Sequence, residues 1–64
     1  MVCMAEYHVT PAENMWQLKY KGGKVVSNHR KKQPAVKAGK RKAGEGDTLV
    51  VHKSNGRIQY QRNY

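Results

Sequence analysis

The stretch from Arg30 to Lys42, RKKQPAVKAGKRK, constrains the fold more than any other. It carries seven of the chain's 13 Lys and Arg residues and no acid. It is also the only segment with helical periodicity. Ala35, Val36, Ala38, Gly39 and Ala43 recur at spacings of three and four and make one narrow side of small residues. Pro34 suits a first helical turn, where its missing N–H costs no bond. Gly44 suits a C-terminal stop, and the Lys and Arg before it suit the negative end of the helix dipole. Like charges three and four residues apart weaken such a helix in isolation. It must therefore be held by packing of its small side. Gly39 permits the closest approach, at a cost of about 1 kcal/mol in helix propensity relative to Ala. One element has to close a small core and also present a dense cationic face.

The partner for that side is a sheet. Glu6 to Thr10 alternates as a short strand ending at Pro11, with Tyr7 and Val9 on one face and His8 and Thr10 on the other. Pro11 to Asn14 reads as a turn. Met15 to Lys21 alternates cleanly, with Trp16, Leu18 and Tyr20 opposite Gln17, Lys19 and Lys21. Gly22-Gly23 supplies a hairpin turn, and Lys24 to Ser27 returns as a third strand. After the helix and a Glu45-Gly46-Asp47 loop, Thr48 to His52 is an apolar strand. Asn55-Gly56 is a strong hairpin signal. Arg57 to Arg62 closes the sheet, with Ile58 and Tyr60 expected toward the core and Arg57, Gln59 and Gln61 outward. The expected fold is α+β: one domain over residues 1–64, a small antiparallel sheet of four to five strands in the order β-β-β-α-β-β, one helix on one face. Residues 1–5 are expected to fray.

Sixty-four residues lie near the lower limit for independent folding, burying only roughly 60% of the unfolded surface. That leaves little room for an enclosed catalytic pocket. Cys3 is the only cysteine, so no internal disulfide is available. No run reaches the ~18 apolar residues of a membrane span, and the first five residues do not form a signal peptide. These features lead us to expect an intracellular, cytoplasmic protein. The formal charge of +9 and pI near 10.1 are the strongest bulk signal, since they attract polyanions.

From Tyr7 to Tyr64 the chain resembles a small bacterial family catalogued as domain of unknown function 2188. The matching pieces are Tyr7-His8-Val9 with Pro11, then Trp16-x-Leu18-Lys19. They continue with Ala35, Ala38 and Ala43 in the helix, then Val50-Val51-His52, Asn55-Gly56-Arg57-Ile58 and Tyr64. The resemblance implies a short α+β domain and carries no assigned activity. Members are usually less basic through the helix, with Thr near Lys31 and acids among the alanines. This chain departs toward Lys there, so it lacks the expected helix cap and is more cationic than its relatives.

No constellation points to catalysis or to a cofactor. Cys3, His8, His29 and His52 lack metal-ligand spacing, although His8 and His52 become neighbours if their strands pair. Gly44 and Gly46 are not followed by the Gly-Lys-Ser/Thr of a phosphate loop. Glu6, Glu13, Glu45 and Asp47 form no carboxylate pair. The expectation is a non-enzymatic, nucleic-acid-binding protein, for DNA or RNA, with little sequence preference. Its phosphate contacts would be Lys19, Lys21, Lys24, Arg30, Lys31, Lys32, Lys37, Lys40, Arg41, Lys42 and Arg57. Gln59 and Gln61 are candidates for base edges, and Tyr7, Tyr60 and Tyr64 for stacking. No RRM, KH, zinc-finger or helix-turn-helix signature is present. The alternative is an interaction or inhibitor module that docks on an acidic protein or forms a homodimer through a sheet edge.

Overall fold

A computed structural model describes residues 5–64. The elements are β1 (Glu6–Ala12), β2 (Met15–Tyr20), β3 (Val25–His29), α1 (Lys32–Lys42), β4 (Thr48–His52) and β5 (Ile58–Asn63). They form one five-stranded sheet in the order β3-β2-β1-β4-β5 with the helix on one face, an α+β fold. Neighbours are antiparallel except β1 and β4, which run parallel at the centre. The helix accounts for this pair. Three strands leave the chain at one end of the sheet, α1 carries it back, and β4 then runs beside β1 in the same direction.

Strand β1 runs through Pro11, which faces Trp16 of β2. Proline is tolerated because β1 has outrun β4, whose pairing with it ends at Val9–Val51. The turn shrinks to Glu13-Asn14, and Asn14 takes the left-handed conformation (φ 59°) that Asn accepts better than most residues. Strand β3 extends to His29, and the helix begins at Lys32. Its N-cap is Lys31, whose side chain makes no capping bond.

The core lies between helix and sheet. Tyr7, Val9, Leu18, Leu49 and Val51 are buried on the covered face, and Ala35 and Gly39 press on them from the helix. A methyl placed on Gly39 would stand 2.7 Å from a Leu49 methyl carbon and 3.2 Å from one of Leu18. Both leucines are fully enclosed, so neither can swing away. The hydrogen at this position therefore sets the distance between the two layers.

Gly44 does not end the helix in a left-handed turn. Ala43 is the C-cap, its N–H bonded to the Gly39 carbonyl. Asp47 then fastens the exit loop. Its buried carboxylate accepts the backbone N–H of Ala5 at 2.9 Å and that of Gly44 at 2.8 Å. The Ala5 carbonyl also accepts the Thr48 N–H. Ala5 is thus fixed against the sheet, contrary to the expected fraying; Cys3 lies outside the described residues.

Gly39→Ala should destabilise the fold. The gain in helix propensity, about 1 kcal/mol, is outweighed by overpacking of typically 1–3 kcal/mol in a closed core. Urea denaturation checks this, and a higher midpoint in the variant would contradict it. The Ala5 and Gly44 N–H donors hold the Asp47 carboxyl below its ordinary value. Its contribution is therefore fully present above the unfolded carboxylate value, near pH 3.9, and disappears as pH falls through the lower folded value. Asp47→Asn should lower stability at neutral pH and flatten the acid limb of a stability–pH curve.

Candidate nucleic-acid interface

The helix does not sit centrally on the sheet. It packs over β2, β1 and β3, reaches β4 only lightly, and makes no backbone contact with β5. The covered-side residues of β5 therefore have no roof. Tyr60 pairs with Val51 and Arg62 with Leu49, which places both on the helix side. Yet Tyr60 is 41% exposed, and every residue of the strand is exposed. The expectation that Ile58 and Tyr60 fill the core is corrected here. Ile58 pairs with His52 on the opposite face and is 58% exposed.

A bulge between Val51 and His52 explains the change. Tyr60 opposes Val51 and Ile58 opposes His52, so Gln59 is an extra residue. A bulge re-aims its side chains, and Gln59, expected outward, reaches the helix and accepts a hydrogen bond from Lys32. Arg57 lies in the turn before β5 rather than on the sheet.

The uncovered strip forms a groove of about 400 Å³ between α1 and β5, lined by Lys32, Gln33, Val36, Lys37, Lys40, Gln59 and Tyr60. Lys32, Val36 and Lys40 follow one another at four-residue spacing and so descend one flank of the helix. Lys32 also stands over Trp16, 5.3 Å from the ring centre. Arg62 lies two residues beyond Tyr60 on the same face, over the Tyr64 ring at 5.2 Å. No acid lines the groove. Asp47 is buried in the exit loop, Glu13 and Glu45 sit in turns, and Glu6 is on the far face.

The expected contact residues divide accordingly. Lys32, Lys37 and Lys40 meet at the groove. Lys31, Arg41 and Lys42 are exposed on the same helix and its cap, and Arg30 is exposed just before it. Lys19 does not extend this patch, because Leu18 takes the covered side and turns Lys19 to the other face, opposite His8. Lys21 neighbours Glu6, and Lys24 lies in the β2–β3 turn. Tyr7 is in the core against Tyr20, so it is no stacking surface; burial pushes its phenol pKa up. Tyr64 is half-buried against the core. Arg62 was missed by the sequence reading, although its alternation with Tyr60 carries the signal.

The far face holds a chain of side chains that includes the two histidines. Glu6 meets His8 Nε2 at 2.6 Å, His8 Nδ1 meets His52 Nε2 at 2.8 Å, and His52 Nδ1 meets the Gly56 carbonyl at 3.0 Å. The His8 bond, offset in part by burial and reinforced by Lys21, holds the Glu6 carboxyl below its ordinary value. Carboxylate and carbonyl only accept, so both outer ring nitrogens donate. The two rings also stack, with centroids 5.1 Å apart. Among the described residues, no group of three or more His, Cys, Asp and Glu side chains is placed to hold a metal.

Residues 7–64 match a family described as "Uncharacterized protein conserved in bacteria (DUF2188)". The chain belongs to the DUF2188 family. No curated protein and no solved structure matches it. As a DUF2188 domain it therefore inherits a family but no activity, and any reading of its function rests on the residues themselves. Among the described residues, no helix is long and apolar enough to cross a membrane.

The hydrogen-bonded histidine pair gives a spectroscopic expectation. Nitrogen-15 correlation spectra should show His52 protonated at Nδ1, because the Gly56 carbonyl it faces can only accept. A His52 carrying its only proton on Nε2 would contradict the arrangement.

Proposed function

We propose that this domain is a cytoplasmic, non-enzymatic nucleic-acid-binding protein that contacts phosphates through the exposed face and groove flank of α1. The observation that carries the reading is a helix and its N-cap with six Lys and Arg from Lys31 to Lys42, seated on a sheet, with no acid in it or lining the groove beside it. Its small side is anchored by Ala35 and Gly39, so the charged side chains project from a fixed backbone. Fixed cations facing a phosphate backbone release condensed counterions, which gives affinity with little choice of sequence. Lys32, Lys37 and Lys40 form the groove wall in this reading, with Lys31, Arg41 and Lys42 extending it along the helix. Lys19 faces the other side of the sheet, opposite His8, while Lys21, Lys24 and Arg57 lie in or beside turns and do not line the groove.

Titration of labelled DNA and RNA at several salt concentrations tests this. Log K should fall linearly with log salt, by about 0.9 per phosphate contacted on duplex DNA. Replacing Lys37, Lys40 and Arg41 with Gln should reduce the slope by about two to three. The same change at Lys19, Lys21 and Lys24 should leave most of it. Absence of binding at low salt would overturn the proposal.

A further inference from the structure

Resting on the nucleic-acid reading above, we infer that the groove between α1 and β5 selects single strands over duplex, with Tyr60 as the platform on which an unpaired base stacks. Three observations meet there. Tyr60 is a large aromatic on a strand the helix leaves uncovered, and 41% of it is exposed. Cations stand on the opposing wall, at Lys32, Lys37 and Lys40, and no acid is among the lining residues. The bulge sets the Gln59 amide beside the ring, with its oxygen held by Lys32 and its NH2 left to donate.

These parts fit the chemistry of a nucleotide taken one at a time. A ring offers a π-face to any base, whereas lysines serve the backbone and an amide serves a base edge. A paired base in a duplex has both faces covered by its neighbours and has none to offer the Tyr60 ring. A duplex can meet Lys37 and Arg41 from above, and it then gains nothing from Tyr60. The cleft, at about 400 Å³, lies within the size range of sites that enclose small ligands. An acidic peptide would satisfy the lysines equally well but would leave the aromatic floor unused.

The test compares a homopyrimidine single strand with a duplex of equal length, on the full chain and on Tyr60→Thr and Tyr60→Trp. Threonine keeps strand propensity and removes the π-face; tryptophan keeps both. Tyr60→Thr should weaken single-strand binding on the order of ten- to a hundredfold and duplex binding by less than about twofold. Tyr60→Trp should retain the preference. Circular dichroism and thermal melts establish that each variant is folded, and Tyr60→Leu serves in place of Tyr60→Thr if threonine unfolds the strand. Equal losses on both nucleic acids, or no loss on the single strand, would overturn the strand selection. If duplex still binds with a steep salt slope in that case, the phosphate-binding reading survives without it. If neither nucleic acid binds and a poly-glutamate peptide does, both readings fail.

Discussion

The contact between Gly39 and the two leucines beneath it is the constraint on which the rest of the molecule depends. An eleven-residue helix with five basic residues and no acid has no reason to form alone. It forms because Ala35 and Gly39 let its backbone descend onto Leu18 and Leu49, excluding water from the side chains that carry the core. At this length the core has few members, and each is shared between layers. The leucines stand on β2 and β4, either side of β1, and the helix lies mainly over β2, β1 and β3. What remains of the sheet on the far side of β4 is left bare. The groove along β5 is thus a by-product of a small residue's position rather than a separately built cavity.

The two edge strands carry matching irregularities with opposite results. In β3 the bulge opposite Leu18 and Lys19 makes Val26 the extra residue and turns it inward, where it joins the partly buried apolar residues around the core. In β5 the bulge turns Gln59 toward the helix, where there is no core left to join, and it meets Lys32 instead. Bulges also twist an edge away from flat pairing with a second sheet. A single device therefore shapes the core at one edge and the groove at the other.

Much of this was legible in the sequence because it rests on local periodicity. The alternation of Trp16, Leu18 and Tyr20, the small side from Ala35 to Gly39 and the Asn55-Gly56 turn each specify an element from a few adjacent residues. The exposure of β5 was not, because Ile58 and Tyr60 alternate as buried residues would. What leaves Tyr60 exposed is the lateral position of a helix some twenty residues earlier in the chain, while the bulge turns Ile58 to the opposite face. A bulge shifts the period by one residue without a marker in composition, so Gln59 read as outward. The parallel β1–β4 pair follows from counting chain reversals, yet it depends on which edge β4 joins, and no local pattern specifies that. Asp47 looked like a loop acid; its two backbone partners, Ala5 and Gly44, become neighbours only when the sheet has closed.

The placement of the acids bears on why the cationic surface persists. Asp47 is committed to two backbone donors and Glu6 to His8, while Glu13 and Glu45 stand in turns. Among the described residues none forms an ion pair with α1, so the helix keeps the mutual repulsion of its lysines in the free domain. An anion along that face relieves repulsion that the core must otherwise restrain. Binding and stability are then linked: a ligand that prefers the folded state stabilises it in proportion to the logarithm of its concentration over Kd. A phosphate backbone spanning Lys37, Lys40 and Arg41 would tighten the seat of Gly39 on its leucines. The cationic surface and the packing that holds the fold are two sides of one short helix.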